Sequence, residues 1–527
     1  MKRNISLVLV LAMVFSLCAC SIGHNTLLTV GFLDEINNLN PLTAEGDGER
    51  MIAANCFEGL LHINSEGHID LCGATAYMVN KNGLTYTFKL NPDARWYISK
   101  DFEATLDSLD IKDFDAKITA EDYIFGIQQF ILSQNTALSS IRGATAYAIS
   151  KSTDKFGVVA VDEHTLEITL EKPDPDFLYK LATELIYPCE KVVFEALKGI
   201  YCSTPSTTLF NGPYYVENLN ESEAIITRNP DYKGRLQVEN QGVRLYFTGK
   251  EDTVFTRFDE GNYDCALADY IKCSEISGKP SFSSVSSVWG FAFNYRSDIS
   301  KNTKLREILL GSIDYENIKI PNFAIDKAIG LIPQGFTVND KLYSDYIKQE
   351  LVYPTLKNPD KALDSLLKSQ GVNSYSLTVA VPKEFEKSMK SIIAGWQELF
   401  GEKLVAELRI FNLSDTEETL SEAHYDLALL PITPETPTAF GMASAITKAP
   451  CHLNNKKLLS AVSKAYPAPE DNAASISKIV ASISNSNIFV PLFFTGTSLY
   501  MNENVSGIYL ADGGNLIYFH LGVKTEV

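Results

Sequence analysis

A chain of 527 residues exceeds the ~250–300 at which a single hydrophobic core stops growing, so two or three domains are expected. Its 45% apolar and 21% charged residues exclude a disordered or wholly membrane-embedded protein. A formal charge of −19 makes nucleic acid and anionic lipid poor partners, because so acidic a surface would be repelled by either. The chain opens with MKRNISLVLVLAMVFSLCAC, in which Lys2 and Arg3 precede an apolar run over 5–17. That run is too short to cross a bilayer at ~20 residues per span, and reads as a secretory signal peptide over 1–19. Once the signal is removed, the balance is 44 basic against 65 acidic residues, about −21.

The stretch from Leu27 reads as a strand, a turn-rich polar segment and an apolar-periodic helix entering another strand. Residues 86–90 (YTFKL) alternate as a half-buried strand, and 158–170 form a hairpin turning at 162–164. Between them, Thr119 and Asp122 make a capping-box start for a helix. The acidic stretch 98–117 is weakly periodic and reads as a surface insertion. Further on, Asn358 caps a helix with Pro359 in its first turn, a stripe of Leu363, Leu366 and Leu367, and a stop at Gly371. SLTVAVP is then a strand. The next segment is a helix carrying Phe385, Met389, Ile392, Trp396 and Leu399 at helical spacing, with Trp396 expected in the core. LVAELRIF and YDLALLPI follow as strands, and this alternation predicts an α/β lobe with a largely parallel sheet.

Sequence motifs for catalysis are missing. There is no Gly-x-Ser-x-Gly, His-Glu-x-x-His, phosphate loop or Gly-x-Gly-x-x-Gly. His62 and His68 flank a turn, but no carboxylate or cysteine stands at ligand spacing, so a surface hairpin is the expectation. EKPDPDF (171–177) holds paired acids between prolines and reads as a strand exit. Apart from Cys18 and Cys20, seven cysteines remain, read as small core residues or one or two disulfides. No enzyme, cofactor or metal is expected.

Three prolines at 431, 434 and 437 follow YDLALL, and the segment PITPETPTAF is either a linker or the wall of a site. The end of the leader, Leu17-Cys18-Ala19-Cys20, resembles the lipobox of bacterial lipoproteins, which implies cleavage before Cys20 and acylation of that residue. Across the rest of the chain, NNLNPLTAEGDGERMIAANCFEGLLHINSEGH, GLTYTFKLNPDARW, ITAEDYIFGIQQF, VDEHTLEITLEKPDPDFLYKLA, NGPYYVENLNESEAIITRNPDYKG, RFDEGNYD and FVPLFFTGTSLYMNENVSGI, among others, resemble the family 5 extracellular solute-binding proteins. These are the receptors of oligopeptide and dipeptide ABC importers.

The resemblance implies an α/β, two-lobed, three-domain fold of the periplasmic-binding-protein type, type II, in the large peptide-binding class. Crossings between lobes would fall near 287–291 and 497. Lobe 1 would be 25–57, 172–287 and 498–527, with an inserted domain at 58–171, and lobe 2 would be 288–497. A small peptide would be held in the cleft largely through its main chain, since backbone amides are common to all peptides. Glu45, Gly46 and Asp47 match the pairing segment of lobe 1. In lobe 2, many members carry an Asp that meets the ligand's α-ammonium group. Here either Thr433 or Glu435 matches that position, depending on where counting starts. Glu435 is expected to be the anchor. Trp289, Phe291 and Phe440 are aromatic candidates for the cleft lining, with core packing as the alternative. The implied partners are a peptide or peptide-like solute, ABC permease subunits and the membrane through the lipid anchor, for a monomer on the extracytoplasmic face. Alternatives are a receptor for a metal chelate, an opine or a sugar, a peptide sensor or adhesin without import, and an acidic-cleft hydrolase.

Overall fold

The computed structural model describes residues 27–520 except 112–113, 134, 239, 250, 269–278, 295, 322–323, 339–340, 417, 419–424, 448–468 and 512–515. The signal segment with Cys20, and Cys273 and Cys451, lie outside the described residues. Two long strands organise the molecule. Phe282–Phe293 and Phe489–Met501 run antiparallel along almost their whole lengths. At one end Phe489–Met501 pairs through 498–501 with Cys265–Ala268. At the other, Phe282–Phe293 pairs through 288–293 with Leu427–Ile432. One continuous sheet therefore passes between two halves. On one side it continues through Leu28–Phe32, Gly242–Phe247, Glu223–Arg228 and Tyr214–Leu219, and on the other through Tyr375–Pro382 and Leu404–Phe411.

The long pair slips register between Val285 and Ser287 and again between Trp289 and Gly290. The backbones approach closely there. A Cβ at Gly496 would stand 1.8 Å from the carbonyl oxygen of Ser284, and one at Gly290 would stand 2.3 Å from that of Val490. Glycine is what the irregularities require.

The chain buries three separate main cores. The largest gathers 288–494, a second collects 53–209 with 509–518, and a third joins Val30, Leu245, Cys265 and Leu499 around the first half of the sheet. Within the second core lies a four-stranded antiparallel sheet in which Thr85–Leu90 sits between Ala74–Val79 and Thr165–Thr169.

Several sequence expectations stand. The Asp122 carboxylate accepts from the Thr119 amide at 2.7 Å at the start of Ala120–Leu132. Pro359–Gln370 buries Leu363, Leu366 and Leu367 and ends at Gly371 with φ 67°. Trp396 is buried, its Nε1 donating to the Ser312 hydroxyl at 3.0 Å. The sheet around 375–411 is parallel as expected, Tyr375–Pro382 running parallel to both Leu404–Phe411 and Leu427–Ile432, and antiparallel pairing begins where Leu427–Ile432 meets the long strand. Others need correction. Residues 98–117 hold a regular element that the weak periodicity did not assign. Lys100–Ser108 is a helix capped by Ser99 that buries Phe102 and Leu106. His62 is buried rather than on a surface hairpin. Its ring meets those of Tyr518 and His520, and burial lowers its pKa. Cys56, Cys72, Cys189, Cys202 and Cys265 are free thiols in buried positions, so these five serve as small core residues.

Candidate functional site

The segment after Leu427–Ile432 carries the proline pattern. Its exposure alternates: Thr433 and Glu435 are exposed, whereas Pro434 and Thr436 are buried. The two residues between which the sequence could not choose are thus both turned to the exposed side of the segment. They differ in their bonding. The Thr433 hydroxyl lies 2.6 Å from that of Ser287, on the long strand where its register slips. Glu435 is the acidic member of the two.

Opposite this segment stands the helix Phe177–Thr183, which belongs to the second core. Lys180 on that helix makes a 2.8 Å ion pair with Asp174. Burial works against the Lys180 ammonium, but Asp174, Asp176 and Glu435 outweigh it and hold its pKa above the usual lysine value. Burial raises the Glu184 carboxyl, while Arg50 and Lys180 draw it down and Glu435 pushes it up. Asp176 is pushed up to about 7 by burial and by Asp174, against the pull of Lys180 and of the Thr438 hydroxyl. The Thr438 hydroxyl donates to Asp176 Oδ1 at 2.8 Å, joining the proline segment to the facing helix. The result is a cluster of four carboxylates, Asp174, Asp176, Glu184 and Glu435, interacting with Lys180 and Arg50 and drawn from both halves of the molecule.

Glu45, Gly46 and Asp47 sit where Asp47–Cys56 begins, with Gly46 as its N-cap. Their main-chain donors are partly used. The Glu45 amide donates to Glu49 Oε2 at 3.2 Å, and the Asp47 amide to Asp34 Oδ2 at 3.3 Å. Glu49 also accepts from the Asn37 amide at 3.1 Å, so this buried carboxylate organises the turn. The charge of Arg50, one helical turn on, acts on Glu184 and so couples the segment to the charged cluster.

Trp289, Phe291 and Phe440 are 1%, 0% and 3% exposed and belong to the largest core. The Trp289 ring stacks on Phe493 with centroids 5.9 Å apart, and its Nε1 donates to the Thr495 hydroxyl at 3.0 Å. All three pack the fold and offer no surface to a solute in this conformation. Sequence reading missed Arg50, Asp174, Asp176, Lys180, Glu184 and Thr438. The available signal is EKPDPDFLYK itself, where a proline-spaced acid pair that reads as a strand exit is followed by a lysine. A surface hollow of about 730 Å³ between 312–321 and the helix Glu386–Phe400 holds none of the expected site residues. Among the described residues, no group of three or more His, Cys, Asp or Glu could hold a metal ion. Nor, among them, is any helix long and apolar enough to cross a membrane.

Two halves joined by a pair of long strands, with charged side chains from both converging between separate cores, define an α/β two-lobed receptor fold of the periplasmic-binding-protein type. The chain belongs to the bacterial extracellular solute-binding proteins of family 5, whose middle region matches residues 72–446. This is a family of binding proteins. The oligopeptide-binding protein SarA of Streptococcus gordonii is 30% identical over 224 residues, covering 41% of this chain and 32% of that protein. The match therefore spans about a third of that relative's length. The unliganded open form of the periplasmic murein tripeptide binding protein MppA, of Escherichia coli, superposes with a TM-score of 0.72 at 18% identity, over 94% of this chain and 97% of that one. Listeria monocytogenes OppA bound to peptide gives 0.62 at 17% identity, over 95% and 99%. These two likenesses establish the shared fold.

Proposed function

We propose that this protein is the substrate-binding lipoprotein of an ABC importer, capturing small peptides between its lobes and handing them to the permease. In this reading Cys20 carries the lipid anchor, the protein acts as a monomer on the extracytoplasmic face, and it catalyses nothing. Lobe 1 is 25–57, 172–287 and 498–527, with an inserted domain over 58–171, and lobe 2 is 288–497. The observation that carries the reading is the charged cluster. Four carboxylates facing two cations leave an acidic excess where the lobes meet, which suits the ammonium end of a peptide. Glu435 is the anchor within it, with Thr433, Glu45, Gly46 and Asp47 along the same cleft. The name of the relative SarA, an oligopeptide-binding protein, agrees with this choice of ligand. Calorimetric titration of the chain from residue 25 onward with a mixed di- to pentapeptide library tests it. Saturable heat is expected, and no heat from any peptide overturns the peptide reading.

A second reading, a receptor of the same fold for a non-peptide solute, has its own support. Prolines at 431, 434 and 437 donate no main-chain hydrogen bonds, and the amides of Glu45 and Asp47 already serve Glu49 and Asp34. Fewer strand-like bonds to a peptide are then on offer.

A further inference from the structure

Asp176 directly precedes the helix Phe177–Thr183, where a short acidic side chain ordinarily caps the helix it begins, yet it makes no capping bond there. Its carboxylate turns instead to Thr438 and accepts from that hydroxyl at 2.8 Å. Thr438 stands at the head of the helix Ala439–Thr447. Its Oγ1 accepts from the Gly441 amide at 2.9 Å and its carbonyl from the Met442 amide at 2.9 Å. Since the hydroxyl oxygen is held by Gly441, its single hydrogen is directed at Asp176. The two residues flank different cores, Phe177 lying in the second and Ala439 in the largest. A carboxylate from one half thus extends the cap of a helix in the other, next to the segment that presents Thr433 and Glu435. The positive end of that helix also favours a negative neighbour.

We propose that Asp176 is a positioning residue for the binding segment 433–438: a cap supplied across the cleft that docks this segment on the opposite lobe. What docking does to a bound ligand rests on the receptor reading above, but the contact itself requires no ligand.

Asp174 faces Asp176 from its own loop and Lys180 from the helix it precedes. Thr438 meets it from the opposite half, and its hydroxyl draws the carboxyl down while burial and Asp174 raise it to about 7. The contact that docking supplies therefore favours the carboxylate, as does the positive end of the helix Ala439–Thr447.

The test is hydrogen exchange of the purified, unliganded chain, read at the amides of Gly441 and Met442. Asp176→Ala should lower protection about fivefold or more, whereas Asp176→Asn, which keeps an accepting oxygen, should retain most of it. Thr438→Val removes the donor and should give low protection that Asp176→Ala lowers no further. Protection unchanged in Asp176→Ala, or lowered equally whether or not Thr438 is present, overturns the proposal. Should Asp176→Ala fail to fold, Asp176→Ser, too short to reach Thr438, takes its place with the same outcomes. Because no peptide is present, failure here leaves the peptide titration standing, and failure of that titration leaves this result intact.

Discussion

Replacing Trp289 by Phe separates a core role from a ligand-facing one. The indole is stacked on Phe493 within the largest core, and its Nε1 donates to the buried hydroxyl of Thr495. A phenyl ring retains the stacking partner but loses the hydrogen bond, which contributes about 1 kcal/mol net. The missing part of the ring leaves a small void, worth about another 1 kcal/mol. A loss of about 2 kcal/mol lowers the melting temperature of a unit of roughly two hundred residues by about 4–8 °C. Differential scanning calorimetry reads that shift directly, and peptide titration at a temperature where both proteins are folded should give matching affinities. A normal melting temperature with affinity reduced tenfold would refute the packing assignment and return Trp289 to the cleft lining.

Three other expectations come from the same geometry. Glu58 is 4% exposed, and burial lifts its carboxyl to about 7 despite the hydrogen bond donated by Tyr232. A carboxyl raised in the folded state stabilises fully below pH ~4.5 and loses that contribution as pH climbs through about 7. Glu58→Gln should then gain up to about 3 kcal/mol relative to wild type between pH 5 and pH 9 in urea denaturation, and an unchanged difference across that range contradicts the assignment. Gly496→Ala places a Cβ against the Ser284 carbonyl and should destabilise the chain by about 1–3 kcal/mol, seen as a lower urea midpoint; a neutral result would mean the long strands can separate freely there. The five buried free thiols should react with a thiol reagent only as the protein unfolds, so stoichiometric labelling of Cys56 or Cys265 in the native state, read by mass spectrometry, would be inconsistent with their burial.

Local patterns carried much of the fold into view. The capping pair Thr119 and Asp122, the stripe ending at Gly371 and the apolar strands near 375 and 427 all act over a few residues, and each stands in the structure. The helix Lys100–Ser108 escaped because only Phe102 and Leu106 among its residues are buried, too few to set a visible period. The site was harder to see. Glu435 stood out as an acid after a buried strand, but its surroundings come from residues more than two hundred positions away. Asp176 falls in a stretch that reads as a strand exit, and nothing local reveals that it precedes a helix and turns its side chain away from it. The aromatic candidates misled for the converse reason. An apolar residue next to a crossing strand can face either the gap or the core, and the alternation along Phe282–Phe293 is interrupted by the register slips beside Trp289.

The central claim is that acids gathered between the lobes, with Glu435 as anchor, receive the ammonium end of a peptide. Calorimetry with matched free-amine and N-acetylated di- to pentapeptides, on the wild type and on Glu435→Gln, tests it most directly. The account predicts binding of free-amine peptides alone, weakened about tenfold or more in Glu435→Gln through loss of a charge-assisted bond worth about 1.5–3 kcal/mol. Equal binding of both libraries, or an unaltered affinity in Glu435→Gln, would contradict it.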